Sequence, residues 1–276
     1  MPTSLSGALE VAVQTDPGLV RGHNEDAVFA DAGRGLAILA DGMGGYSAGE
    51  VASSMATKLL SSRLEAAFKS VPPHKRDGRT GQPFAHSCLV QQIAAVNTAI
   101  YRAAESQVQF VGMGTTLVAV VFCDNKLIVA HVGDSRLYCL RSGSFAAMTR
   151  DHSLLQEQID SGLISVEEAR HSINKNLVTR AVGVDPEVDV ESHLYPVQPG
   201  DLYLLCSDGL YDMVDDLEIH RTLETYGANP DLAARQLIRT ANDNGGEDNV
   251  SVVVVKVLRE FPAGSACWWK PWSWFR

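Results

Sequence analysis

The sequence predicts an α+β fold, two antiparallel sheets stacked face to face with helices on their outer sides, that is, a four-layer α-β-β-α sandwich. Three observations carry this. Runs with strand character follow one another across short turns, as hairpins do. Segments with helical periodicity come in neighbouring pairs instead of alternating one for one with strands, as a doubly wound parallel sheet requires. The composition, 276 residues with 45 % hydrophobic and 20 % charged, supports a core of that size without disulfides or a structural metal.

Leu9–Thr15 alternates as a half-buried strand. Asp26–Asp31 and Leu36–Ala40 form two more strands around Gly33-Arg34-Gly35. The period then changes: Val51, Met55, Leu59, Leu60, Leu64, Ala67 and Phe68 recur at helical spacing. Ser47, with Glu50 three residues on, has the pattern of a capping box opening that helix. Residues 71–84, rich in Pro, Gly and charge, form a loop, and Leu89, Ile93, Val96, Ile100 and Ala103 mark a second helix. Thr116–Phe122 and Lys126–Val132 are β-prone, with Asp124-Asn125 as a tight turn. Arg136–Arg141 and Phe145–Met148 pair around Ser142-Gly143-Ser144. Residues 151–181 hold two short helical pieces with capping boxes, Ser153 with Gln156 and Ser165 with Glu168, and form an insert placed to cover a site. Val188–Tyr195 and Leu202–Cys206 return to strand, Leu217–Thr225 and Leu232–Ala241 are helical, and Val250–Leu258 is an apolar strand. Asn229 caps the last helix, with Pro230 in its first turn.

The formal net charge of -10 excludes nucleic acid as a main partner, because phosphate backbones demand a basic surface. The five cysteines (Cys88, Cys123, Cys139, Cys206 and Cys267) are odd in number and form no CxxC pair, the usage of a reducing compartment. Met1 to Asp16 has no basic region followed by an apolar stretch, and no run approaches the ~20 apolar residues of a membrane-spanning helix. A cytoplasmic location and a monomeric state are expected.

The chemistry lies in where the carboxylates fall. Asp41 and Asp208 each follow an apolar strand and precede a glycine. Asp134 follows Lys126–Val132, Asp248 precedes Val250–Leu258, and Glu25 and Asp26 open another strand. Taken singly, Asp-Gly is above all a turn signal. Together, carboxylates at several core-strand ends would repel one another unless divalent cations relieve the charge. An all-oxygen donor set suits Mg²⁺ or Mn²⁺ rather than zinc, and Gly42 allows close approach of a backbone carbonyl. Two ions ~3.5–4 Å apart can share a water, lower its pKa and direct the resulting hydroxide at phosphorus. Arg21, four residues before Glu25, has the planar donors that match a phosphate.

Six motifs occur in order: Arg21-Gly-His-Asn-Glu-Asp26, Asp41-Gly-Met-Gly-Gly45, Gly112-Met-Gly-Thr-Thr116, Gly133-Asp-Ser-Arg136, Cys206-Ser-Asp-Gly-Leu210 and Glu247-Asp-Asn-Val250. Each is weak alone. The ordered set resembles the metal-dependent PPM, or type 2C, serine/threonine protein phosphatases, in particular their bacterial branch, from about Leu9 to Leu258. The resemblance implies the same stacked-sheet fold over residues 1–260, with 151–181 as a mobile flap. It implies that Asp41 bridges two ions, that Gly42 ligates one through its carbonyl, and that Asp208 and Asp248 complete the other. Glu25 and Asp26 would act at the first ion directly or through waters. Asp134 with Asp208 matches a third, weaker site. Arg21 would hold the substrate phosphate, and Asn249 would orient waters or a neighbouring ligand. Met43 stands where eukaryotic members carry a histidine proposed as the general acid; methionine has no proton to donate, a substitution common in the bacterial branch. His23, His152 and His171 are candidate acids by type only, beside a metal-bound water.

The substrates implied are phosphoproteins, targets of a bacterial serine/threonine kinase. Two other readings are a phosphatase dedicated to one partner in a signalling or secretion system, and a pseudo-phosphatase that binds without turnover. The intact set Arg21, Asp41, Asp208 and Asp248 speaks against the latter. Residues 261–276 lie past the match and hold all four tryptophans, within Cys267-Trp-Trp-Lys-Pro-Trp-Ser-Trp-Phe-Arg276. Tryptophan beside Lys and Arg suits a membrane interface or a partner's groove, or else covers an apolar patch on its own domain.

Overall fold

A computed structural model describes residues 4–45, 47–78, 80–165, 168 and 177–263. His171, most of the second helical piece of the insert and the tryptophan-rich segment, including Cys267, lie outside the described residues.

The first sheet contains β2 (Asp26–Asp31), β3 (Leu36–Met43), β5 (Leu117–Cys123), β6 (Lys126–Val132) and β9 (Glu191–Pro196), in the order β2-β3-β5-β6-β9, with the two-residue β4 (Gly114–Thr115) paired to β3. The second contains β1 (Leu9–Asp16), β7 (Arg136–Arg141), β8 (Ser144–Ala147), β10 (Leu202–Cys206) and β11 (Val250–Val257), in the order β1-β11-β10-β7-β8. All the named pairings are antiparallel. The β5–β6 turn places Asp124 and Asn125 at φ 51° and 53°, the left-handed pair that a two-residue hairpin requires. The β7–β8 turn is also two residues, Ser142 and Gly143, one shorter than the sequence reading, because Ser144 already pairs with Arg141.

The period-two alternation of the strands builds the layers. In β3, Leu36, Ile38 and Ala40 face α1 (Ala48–Ser70) and α2 (Phe84–Ser106), whereas Ala37 and Leu39 face the other sheet. In β10, Tyr203 and Leu205 point into the inter-sheet layer, and Leu202, Leu204 and Cys206 pack under two helices on the opposite side, Asp216–Tyr226 and Pro230–Asp243. Burial on both faces explains why β10, and β11 apart from Ser251 and Lys256, are apolar with no alternation. The result is the expected α-β-β-α sandwich, with Phe122 and Tyr203 edge to face at 5.5 Å in its central layer. Cys88, Cys123 and Cys206 are buried thiols and Cys139 is half-buried.

Helix entry corrects one expectation. Ser47 precedes α1 but makes no side-chain capping bond, because its backbone (φ -99°, ψ 17°) is not extended. The chain enters through a turn instead, with Ala48 N–H donating to Gly45 O at 3.1 Å. This brings Gly49 against Gly42, where a Cβ on Gly42 would stand 2.2 Å from Gly49 O. Of the other two boxes, the second is reciprocal and the first is a one-way cap, since the Gln156 side-chain amide turns to Asp160 instead. Ser153 accepts from Gln156 N–H, capping α3 (Leu154–Asp160), and Ser165 and Glu168 cap reciprocally. Three further helices among the described residues follow in chain order: α4 (Asp208–Tyr211), α5 (Asp216–Tyr226) and α6 (Pro230–Asp243). No helix among the described residues is long and apolar enough to cross a membrane.

Candidate metal centre

One end of the sandwich collects the carboxylates. β3 ends there and β2 starts there, so Asp26 and Asp41 are direct cross-strand partners. Asp134 follows β6 at the same end of the first sheet, while Asp208, after β10, and Asp248, before β11, arrive from the second. The two contributions touch: Ser207 Oγ donates to Asp26 Oδ2 at 2.9 Å and itself accepts from Ser251 N–H at 3.0 Å. Asn249 clamps the loop that carries Arg21 and Glu25. Its Oδ1 accepts from Glu25 N–H at 2.7 Å, and its Nδ2 donates to Pro17 O and His23 O. It therefore acts on the backbone of the loop rather than only on waters. Behind Asp41, Thr115 Oγ1 donates to its carbonyl at 2.7 Å and Thr116 Oγ1 accepts from its amide at 3.2 Å.

The electrostatics are those of uncompensated negative charge. Burial, then the charges of Asp26, Asp208, Asp134 and Asp248, hold the Asp41 carboxyl well above the usual range. Asp208 is raised well above it by burial and then by Asp134, Asp248, Asp212 and Asp26. Burial lifts Asp26 to about 6 against hydrogen bonds from Ser251 and Ser207 that oppose the shift. Asp134 also reaches about 6, through burial and then the charge of Asp151. Glu25 is raised by burial, with the Arg21 charge pulling the other way. Two carboxylate oxygens, Asp26 Oδ1 and Asp208 Oδ1, are buried without a hydrogen-bond partner.

Such oxygens cost free energy unless something positive meets them. The donors are all carboxylate oxygens drawn from five separate loops and strands, and this set fits hard divalent cations such as Mn²⁺ or Mg²⁺. Arg21 Nη2 meets Asp248 Oδ2 at 2.7 Å, with the arginine side chain 54 % exposed. All seven residues singled out from the sequence, Arg21, Glu25, Asp26, Asp41, Asp134, Asp208 and Asp248, with Gly42 between Asp41 and Gly49, thus lie at one end of the fold. Asp212 went unnoticed in the sequence. It raises Asp208, and its spacing of four residues from Asp208, one helical turn, was the available signal. Asp151 was read only as the start of the insert. It binds Arg136 through both oxygens, and that guanidinium lies 3.6 Å over the Tyr211 ring, whose hydroxyl donates to Asp134 O.

A second cluster lies beyond Asp134. His131, His152 and Glu191 offer ligand atoms within 4.8 Å of one another. The hydrogen bonds argue against an ion there. His152 Nδ1 accepts from Gly133 N–H, so its proton is on Nε2, which faces Glu191 Oε2 at 3.2 Å. The His131 and His152 rings stack at 4.7 Å and 18°, and lone pairs in two nearly parallel planes do not converge on one ion. His152 is therefore committed to the fold, while His23 sits exposed on the loop carrying Glu25, and Met43, ending β3, pairs with Gly114.

The family profile of Protein phosphatase 2C matches residues 21–244. The chain belongs to the protein phosphatase 2C family. It is similar to a serine/threonine phosphatase of Listeria welshimeri, 39 % identical over 246 residues, which are 88 % of this chain and 94 % of that one. The solved structure of the Mycobacterium tuberculosis serine/threonine phosphatase PstP superposes with a TM-score of 0.81 at 38 % identity, covering 91 % of this chain and 100 % of that one. The catalytic domain of PstP in complex with two manganese ions superposes with a TM-score of 0.77 at 39 % identity, covering 91 % and 99 %. The chain is a protein serine/threonine phosphatase of the bacterial branch, and the four-layer sandwich is the fold of that family.

Proposed function

We propose that this phosphatase hydrolyses phosphoserine and phosphothreonine on proteins, with two divalent ions held between the two sheets by Asp41, Asp208 and Asp248, helped by Glu25, Asp26 and the Gly42 carbonyl. The observation that carries the reading is the set of mutually repelling carboxylates in which two buried oxygens lack partners. Ions bound there would supply Lewis acidity toward the phosphoryl oxygens and acidify a water shared between them.

The chain's own groups do the rest. Arg21 is tied to Asp248 and largely exposed. Cations on the aspartates would take over its partner and free the guanidinium to bind two phosphoryl oxygens. Asn249 fixes the loop on which Arg21 and Glu25 ride. Ser207 and Ser251 fix Asp26, and Thr115 and Thr116 fix the Asp41 backbone, so the site needs little reorganisation during reaction. Asp134, raised by burial and then by the charge of Asp151, would with Asp208 hold a third, weaker ion.

The test is hydrolysis of a phosphothreonine peptide with Mn²⁺, with excess chelator, and by Asp208→Asn. Turnover should require the metal and collapse in the variant. Turnover that survives chelation, or a folded Asp208→Asn that works as well as the parent, would overturn the reading.

A further inference from the structure

The opposite end of the sandwich carries a groove of about 740 Å³ that the phosphatase site does not use. It lies where the β2–β3 and β5–β6 turns meet the end of α1, and its apolar lining includes Leu5, Leu36, Phe68, Phe122 and Phe261. A space of that size is in the range that takes a bulky organic ligand. The rim is charged: Arg34 bridges Asp31 and Glu65, and Lys69, 72 % exposed, also pairs with Glu65.

The chain itself leads into this groove. After β11, Phe261 is buried with its ring 6.4 Å from that of Phe122, and its amide donates to Asn125 Oδ1 at 2.5 Å. The amide of Ala263 donates to Asp124 Oδ1 at 2.9 Å. Both anchors belong to the β5–β6 turn, and residues 259–263 form part of the groove wall. The thirteen residues that follow Ala263 therefore continue from a residue of the groove wall. They hold every tryptophan of the chain, two cations (Lys270 and Arg276) and no acid.

We propose that residues 264–276 fold back into this groove, seating indole rings on its apolar floor. The chemistry matches on both counts. Indoles suit an apolar floor with guanidinium and ammonium groups at its rim. Lys270 and Arg276 suit the carboxylates of Asp31 and Glu65 on a protein of net charge -10. Left uncovered, such an aromatic segment and such a floor would each be an aggregation liability. Leu36 opens the strand whose far end carries Asp41, so the docked segment leaves the metal centre free.

Because every tryptophan lies in this segment, tryptophan emission, excited at wavelengths where tyrosine does not absorb, reports on it alone. The experiment records emission and iodide quenching of the full chain across a hundred-fold range of protein concentration, beside N-acetyl-tryptophanamide and with phosphatidylcholine–phosphatidylglycerol vesicles. Docking predicts blue-shifted emission and a quenching constant several-fold below the free indole, at every concentration and without vesicles. Leu5→Glu should shift emission to the red and raise quenching several-fold, with peptide phosphatase turnover unchanged. If that variant fails to fold, Glu65→Gln, which removes a rim carboxylate offered to Lys270 and Arg276, should still raise quenching. Emission and quenching equal to free indole would overturn the proposal. So would protection that needs vesicles, a membrane site, or that grows with concentration, a second copy's groove. Protection unmoved by groove substitutions in active protein would place the segment elsewhere and overturn it as well.

Discussion

Two buried polar clusters flank the turn Gly133-Asp134, and they obey opposite rules. On one side Asp26, Asp41, Asp134, Asp208 and Asp248 bring like charges together, and buried oxygens stay unpaired. On the other, the partners are complementary: His131 Nε2 donates to Arg150 O at 2.8 Å, and His152 both accepts from Gly133 and meets Glu191, which His193 also approaches at 2.7 Å. Only His131 Nδ1 lacks a partner there. The first cluster raises the energy of the metal-free fold and is poised for cations. The second lowers it and needs none. Proximity of ligand-type residues does not separate the two, whereas the balance of donors, acceptors and charge does.

The largest expected effect comes from breaking the first cluster. Asp41→Asn should lower metal-dependent turnover by about 10³-fold or more, on the scale of losing a preorganised electrostatic group. The same change should raise the melting temperature in chelator, since it removes a charge that Asp26, Asp208, Asp134 and Asp248 all oppose. A variant that loses both activity and metal-free stability would mean that the carboxylates support the fold.

Acidity sharpens the contrast with a smaller effect. In the metal-free protein Asp26 and Asp134 keep their protons up to about pH 6. The unfolded chain releases them near pH 4. Between those values the folded state binds more protons, so stability is fully present below the unfolded value and is lost as pH rises through the folded one. For Asp134 the loss is on the order of 3 kcal/mol. In chelator the protein should melt higher at pH 5 than at pH 7. With saturating Mn²⁺ the order should reverse, because protons then compete with the ions for the same oxygens. Melting scans at the two pH values, with and without metal, check this. An order that metal does not change would show that these groups do not bind it.

The fold was legible because its strands bury two faces: β10 is an unbroken apolar run, β11 is one apart from Ser251 and Lys256, and the Asp124-Asn125 turn carries its own hairpin signal. The site was legible because Asp41, Asp208 and Asp248 each interrupt or adjoin such a run. The Ser47 cap misled, since the motif is read from side chains while the entry to α1 is set by the backbone around Gly42, Gly45 and Gly49. Asp151, Tyr211 and the clamp by Asn249 were not legible as a network, because each acts on a partner far away in sequence. Ser207 and Ser251 belong to the same class. A serine beside a strand has no pattern of its own until the opposite sheet brings Asp26 to it.

The histidine cluster gives the smallest effects and the finest discrimination. Glu191→Gln keeps an acceptor for His152 Nε2–H and should cost little stability. His152→Phe keeps a stacked ring but leaves Gly133 N–H buried without an acceptor, at a cost of about 1–3 kcal/mol. That loss should be the same with chelator and with Mn²⁺, because neither side chain takes part in holding an ion. Chemical denaturation of both variants in the two conditions separates the outcomes. If excess metal selectively rescued His152→Phe or deepened its deficit, the cluster would be coupled to the metal centre through the Gly133-Asp134 turn, and the division between a cation-poised cluster and a self-satisfied one would fall at that peptide.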